Sequence, residues 1–119
     1  RDLHTGIHSF LHDALPICQL VVAPLWQPAL TGLGSFAEAD ILYWMHQARR
    51  DLVIQHPKTR PAPSGTFALR SPVRPNPIAL SRVRILSCGN GEVAVRGLDC
   101  LDGTPLLDIK PVRTPATKP

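Results

Sequence analysis

The sequence predicts a mainly β fold, a small barrel-like antiparallel sheet with one short helix or helical turn. Three observations point there. Proline occurs 13 times in 119 residues, about twice the usual ~5%, and prolines at that density interrupt long helices while being tolerated at strand edges and turns. Apolar residues come in short runs with two-residue alternation, not in a sustained 3.6-residue stripe. Between two such alternating runs lies Gly89-Asn90-Gly91, the turn chemistry of a tight hairpin. With 44% hydrophobic and 18% charged residues, the composition is that of one globular domain and excludes wholesale disorder. No apolar run approaches the ~18–20 residues of a membrane-spanning helix, so no membrane partner is expected.

The first segment, Arg1 to Ile17 (RDLHTGIHSFLHDALPI), stands apart. His4, His8 and His12 recur every four residues, a spacing that would align three imidazoles on one helical face. The string nevertheless resembles a translated short-read sequencing adapter: HDALPI is what CAC GAC GCT CTT CCG ATC encodes, and RDLH and HSF match earlier parts of it. Residues 1–17 are therefore expected to be non-native and are excluded from the fold reading, with histidines that carry no chemistry. The domain is expected to span 18–112 without its first strand.

From Gln19 onward the pattern is globular. Leu20–Ala23 reads as a strand ended by Pro24, and Pro28–Leu33 as one helical turn stopped at Gly32. Ile41–Met45 is β-branched and aromatic and reads as a buried strand, although Ala39–Leu52 contains no Gly or Pro to forbid a helix. Gln55–Ser64 holds three prolines in ten residues and reads as a long loop, a candidate flap. Gly65–Arg70 reads as a strand with Phe67 and Leu69 on one face and Arg70 on the other, followed by an extended loop over Pro72–Pro77. Residues 80–97 form a hairpin in which Val83, Ile85, Val93 and Val95 face inward. Gly97–Pro105 is turn-rich, Leu106–Ile109 is a last short strand, and 113–119 is a disordered tail.

Chemistry concentrates in few places. Proline-stiffened Arg70, Arg74 and Asn76 suit recognition of phosphate or carboxylate, because fixed guanidinium forks lose little freedom on binding. Asp102-Gly103-Thr104-Pro105 is a turn with a side-chain acceptor and exposed backbone donors, suited to a ribose or an amide. His46 follows an apolar run and reads first as a core histidine. Arg82, Arg84 and Arg96 share one hairpin face with few acids opposite, either a phosphate-tracking stripe or a solvated sheet face. Cys18, Cys88 and Cys100 form no CxxC pair, so neither a disulfide scaffold nor a zinc site is expected, and a reducing cytoplasmic setting is. The net charge of +4 admits a polyanionic partner without requiring one. No Rossmann or P-loop signature is present.

Two stretches, GTFALRSPVRPNPIALS and RGLDCLDGTPLLDIKP, resemble in order and separation the motifs of the tRNA N6-threonylcarbamoyladenosine methyltransferases, the TrmO or TsaA-like family. These carry G-x-F-x-x-R-S-x-x-R-P-N-P-I-G and later L-D-x-x-D-G-T-P-x-x-D-I-K-P. ALTGLGSF and ILYWMHQARRDL fit more loosely, and the resemblance, closest to the short bacterial type, covers roughly Cys18 to Val112. It implies a small β-barrel that binds S-adenosylmethionine without a Rossmann domain, works as a homodimer, and methylates N6 of threonylcarbamoyladenosine in the tRNA anticodon loop. By position, the resemblance implies cofactor contacts from Met45, His46, Arg70, Leu80, Asp102, Gly103, Thr104 and Pro105, with Arg74, Asn76 and Lys110 facing substrate or shaping the pocket. It assigns no catalytic proton acceptor and no metal. This chain departs from the pattern at Ala79 (usually Gly), at Ala37-Glu38 (often Ser-His), and in lacking a Pro-Arg-Gln-type loop upstream. The competing readings are a non-catalytic RNA-binding β module and an inactive fragment of the methyltransferase.

Overall fold

The computed structural model describes residues 6–10 and 17–113. Its strands are β1 (Gly6–Phe10), β2 (Ile17–Val21), β3 (Glu38–Trp44), β4 (Ile54–Gln55), β5 (Ser64–Gly65), β6 (Ile78–Gly89), β7 (Glu92–Arg96) and β8 (Thr104–Pro111). Six of them close an antiparallel barrel in the order β1-β2-β7-β6-β3-β8, while β4 and β5 form a separate two-stranded ribbon. Alternation dictates the closure. Ala39, Ile41 and Tyr43 of β3, Val83 of β6, Val93 and Val95 of β7, and Leu20 of β2 all turn inward and are buried, so each strand places one apolar row in the lumen. The Tyr43 hydroxyl lies 2.7 Å from Ser81 Oγ, which satisfies the one polar tip that the core row brings in.

Part of the segment excluded from the fold reading supplies a barrel strand. Residues 6–10 pair with β2, Ile7 opposite Leu20, and Ile7 also stands opposite Thr104 of β8. Ile7 is fully buried. A ladder asks little of a short strand beyond backbone donors and one inward apolar side chain, and GIHSF provides both. His8 of the expected imidazole array points outward, while His4 and His12 lie outside the described residues. Of the expected tail, Arg113 is placed, its guanidinium 5.3 Å over the Phe36 ring; residues 114–119 lie outside the described residues.

Most other elements follow the sequence pattern. Ile41–Met45 is a strand, although β3 begins earlier and Met45 falls just past its end. The hairpin over 80–97 is present, with Asn90 at φ 54° and Gly91 at φ 76°, two consecutive left-handed residues as a tight two-residue turn requires. Its register shifts between Ile85 and Ser87, a bulge that leaves Leu86 exposed. β8 is longer than the Leu106–Ile109 strand expected. The helical turn expected near Pro28 is a 3-10 helix over Pro24–Leu30 with Pro28 inside it.

The strand expected over Gly65–Arg70 is not formed. Only Ser64–Gly65 pairs, with Ile54–Gln55, and Thr66–Ala68 is a 3-10 turn closed by Leu69 N–H donating to the Thr66 carbonyl at 3.2 Å. Buried Thr66 anchors this turn by donating its hydroxyl to the Leu52 carbonyl at 2.7 Å. Phe67 is thereby thrown outward, 81% exposed. Alternation alone overlooked the prolines on both sides, which deny this stretch a partner strand.

Gly91 has two reasons to be glycine: its positive φ, and a Gln27 side chain packed where a Cβ would sit. Gly91→Ala should lower stability by about 1–2 kcal/mol, read as a lower urea midpoint. Gly89→Ala, in open space at the same hairpin, should stay within about 0.5 kcal/mol of the parent.

Candidate functional site

Where β3 ends, the chain turns back over the barrel rim. Met45 N–H donates to the Pro77 carbonyl at 2.8 Å and Ala48 N–H to the Met45 carbonyl at 3.0 Å. Arg50 ties this turn to the proline loop. Its Nε donates to the Pro75 carbonyl at 2.6 Å, its Nη2 to Asn76 Oδ1 at 3.2 Å, and its guanidinium stacks 5.3 Å over the Trp44 ring. Across the rim, Thr104 closes the 101–104 turn, donating its N–H and hydroxyl to the Leu101 carbonyl at 3.1 and 2.6 Å. Gly103, at φ 86°, donates its N–H to the Ile7 carbonyl at 2.8 Å. β1 therefore helps to hold this turn.

These pieces enclose a cleft of about 470 Å³ walled by Met45 and His46, by Pro72 and Val73, and by Leu101 and Thr104, with Arg49 at its edge. The walls are mostly apolar with a few polar groups, and the volume lies within the ~300–1,000 Å³ typical of small-molecule sites. An amphipathic ligand of nucleoside size with a charged end fits this lining. Asp102 is exposed on the same turn, with Oδ1 3.2 Å from His8 Nδ1.

Arg70, Arg74 and Leu80 sit elsewhere in the single chain. They line a second depression of about 420 Å³ together with Phe67 and Ile78. Arg70 also borders a third, about 670 Å³, whose other wall is the Gln55–Arg60 stretch of the candidate flap. Thus the structure gathers Met45, His46 and Thr104, with Asp102 and Gly103 on the same turn, and separately gathers Arg70, Arg74 and Leu80. Pro105, second residue of β8, stands opposite Gly6 of β1. Lys110 stands farther along β8, about 20 Å from Thr104 by strand rise, with Nζ 3.6 Å from Asp108 Oδ2.

Two residues read as presented to a ligand are engaged in folding. Arg74 Nη1 donates to the Leu69 and Ser71 carbonyls at 2.8 and 2.9 Å, and Asn76 accepts from Arg50. Sequence reasoning missed Arg50, Gln55 and Thr66. Gln55 Nε2 donates to Thr66 Oγ1 at 3.0 Å and to the Val73 carbonyl at 2.8 Å, clamping the cleft-lining loop. Gln55 lies outside the motif stretches and Arg50 and Thr66 lie within them, but nothing local shows that each acts on a backbone carbonyl far along the chain. The hairpin arginines also divide: Arg82 forms a two-pronged pair with Asp40 at 3.0 and 3.2 Å, which corrects the expectation of few opposing acids.

Burial pushes the Cys100 thiol up to about 11, which disfavours the reactive thiolate at neutral pH. Among the described residues, no three His, Cys, Asp or Glu side chains gather closely enough to hold a metal ion. No helix among them is long and apolar enough to cross a membrane. Beside the cleft, Arg49 donates through Nε and Nη2 to both Asp51 carboxylate oxygens at 2.8 Å and lowers the Asp51 carboxyl from 3.8 to about 2. The pair thus persists above pH 3.8 and is lost as pH falls through about 2. Carbon-detected NMR should show Asp51 titrating near 2, and Arg49→Gln should return it toward 3.8.

The family model for the tRNA-methyltransferase O N-terminal domain matches residues 11–116. A probable S-adenosyl-L-methionine-binding protein VirR from Rhizobium radiobacter is 48% identical over 99 residues, covering 83% of this chain and 57% of that protein. A tRNA (adenine(37)-N6)-methyltransferase from Mus musculus is 38% identical over 86 residues, covering 70% of this chain and 20% of that one. The crystal structure of TrmO from Pseudomonas aeruginosa superposes with a TM-score of 0.72 at 31% identity, covering 95% of this chain and 55% of that one. The chain thus spans a little over half the length of VirR and of the solved structure, and a fifth of the mouse protein.

Proposed function

Because this chain belongs to the tRNA-methyltransferase O N-terminal domain family, we propose that it binds S-adenosylmethionine at the Met45–Thr104 cleft and methylates an adenine N6 of tRNA. The observation that carries this reading is the meeting of two distant motif segments, Pro72–Val73 and Leu101–Thr104, against Met45 and His46 in one cleft. The names of the relatives point the same way, as S-adenosyl-L-methionine-binding proteins and as tRNA methyltransferases. The finer substrate, an adenosine already carrying threonylcarbamoyl at N6 in the anticodon loop, is supported by the motif resemblance.

When bound, the cofactor supplies a methyl group made electrophilic by its sulfonium. The residues of the chain have the task of orientation, which for a displacement at carbon is the main source of rate. Met45, Leu101, Pro72 and Val73 would pack against the apolar parts of the cofactor and exclude water. The exposed Asp102 carboxylate would face its positive charge, and the Leu101–Thr104 turn would hold its polar end.

A homodimer fits the division of the site. Arg70 and Leu80 line depressions other than the Met45–Thr104 cleft of their own chain, and a second copy could bring its own Arg70 and Leu80 to that cleft. A tRNA substrate and the thiols of Cys88 and Cys100, which stand outside any disulfide, agree with a cytoplasmic setting.

Labelled S-adenosylmethionine should transfer methyl to threonylcarbamoylated tRNA and not to tRNA lacking that group. Arg70→Ala combined with Asp102→Ala should reduce incorporation about 100-fold; unchanged incorporation would remove the site assignment. A thermal melt discriminates the RNA-binding alternative. Saturation at 100 times Kd should stabilise the fold by about 2.7 kcal/mol, whereas a non-catalytic module would show no cofactor-dependent shift.

A further inference from the structure

We propose that the outer face of β6 and β7, centred on Arg84 and Arg96, holds backbone phosphates of the RNA substrate. The inference rests on the reading that the substrate is tRNA.

Arg84 and Arg96 are direct cross-strand partners in the hairpin. Like charges placed opposite one another destabilise a sheet, so this pair needs a reason other than folding. Neighbouring arginines are satisfied: Arg82 is locked to Asp40, Arg74 to backbone carbonyls, and Arg50 to Pro75 and Asn76. Among the described residues, neither Arg84 nor Arg96 has a carboxylate within ion-pairing distance. Arg96 is half-buried, and its Nε is buried with no hydrogen-bond partner among the described residues, a desolvation cost that speaks against a purely structural role for this arginine. The acid nearest in register is Glu38, opposite Arg84 on β3, and it pairs with neither arginine.

A third cation lies near the β3 end of the row. Val112 N–H donates to the Glu38 carbonyl at 3.0 Å, which sets Arg113 beside the β3 end of the row. Arg113 stacks on Phe36, and no carboxylate pairs with it among the described residues. Arg84 and Arg96 thus stand in one cross-strand row with a single carboxylate, Glu38.

The face also leads toward the chemistry. Leu80 and Arg84 lie on the same side of β6, four residues apart, or about 13 Å by strand rise. Leu80 borders the depression that holds Arg70. A nucleic-acid strand whose reacting base reaches the Arg70 region would lay its neighbouring phosphates along β6 toward Arg84 and Arg96. The chemistry called for is a spaced row of anionic oxygens that accept from guanidinium forks, which a phosphodiester backbone supplies.

The test is tRNA binding by fluorescence anisotropy across a salt series, with an unmodified transcript and the full chain. Arg84→Gln with Arg96→Gln should weaken binding about 10- to 50-fold near 0.1 M salt and flatten the slope of log K against log salt by about 1.5. Arg84→Lys with Arg96→Lys should keep the slope, and the thermal shift with S-adenosylmethionine should be the same in all forms. If the double variant does not fold, Arg84→Gln alone, at an exposed position, should flatten the slope by about 0.8. Parental affinity and slope in these variants would overturn the proposal, as would wild-type binding that ignores salt. Methyl transfer with an unaltered KM for tRNA in the double variant would refute the phosphate row and leave catalysis standing. Loss of binding in the variant, beside a wild type that transfers no methyl group, would refute catalysis and leave the row standing.

Discussion

β3 is hydrogen-bonded on both sides, to β6 over Glu38–Trp44 and to β8 over Ala39–Tyr43, and this double pairing fixes the geometry of the cleft. Tyr43 stands opposite Ala79 on one flank and Leu106 on the other. The start of β6, preceded by the proline loop, and the start of β8, preceded by the 101–104 turn, are thereby brought to the rim where β3 ends. Met45 and His46 continue from β3 into the gap between them. Three sequence segments that are far apart become neighbours because each adjoins a barrel strand at the same end. A slip of one residue in either ladder would turn the inward rows outward, so the apolar alternation that builds the core also sets the register of the site.

Legibility in the sequence followed locality. The hairpin over 80–97 was readable because its turn residues and its alternation lie within twenty positions, and the antiparallel barrel followed from several such segments. The Gly65–Arg70 stretch was misread because alternation says nothing about whether a partner strand is available; prolines on either side had removed it. β1 was set aside on the origin of its letters, whereas the barrel responds only to backbone donors and one buried isoleucine. At the site, the motif resemblance singled out Met45, His46 and the Asp102–Pro105 turn, which the fold places along one rim. It did not show that Arg70 and Leu80 open onto a different depression, since that division depends on where the proline loop crosses the barrel.

Charge tells a related story. A sequence lists arginines without saying which are already engaged. Here Arg50 and Arg74 hold loop backbone, Arg82 answers Asp40, and Arg49 answers Asp51. Exposed pairs of this kind add little stability, but they remove cations from the pool able to meet a polyanion. Among the described residues, the cations that no carboxylate answers include Arg70 at the depressions, Arg84 with Arg96 on the hairpin, and Arg113, and their positions say more about partners than the net charge does.

The prolines acquire a physical role from the same comparison. A cleft made of loops must keep its shape without a ladder of backbone hydrogen bonds, and Pro72, Pro75 and Pro77 can donate none. Their rigidity lowers the freedom lost on ordering, while Gln55, Arg50 and Arg74 reach across to accept the load, donating to the Val73, Pro75, Leu69 and Ser71 carbonyls. Each of these side chains satisfies an acceptor that a strand partner would otherwise have met. The loop is therefore held by long polar side chains acting in place of a neighbouring strand, and its apolar edge, Pro72 and Val73, is left to face the cleft.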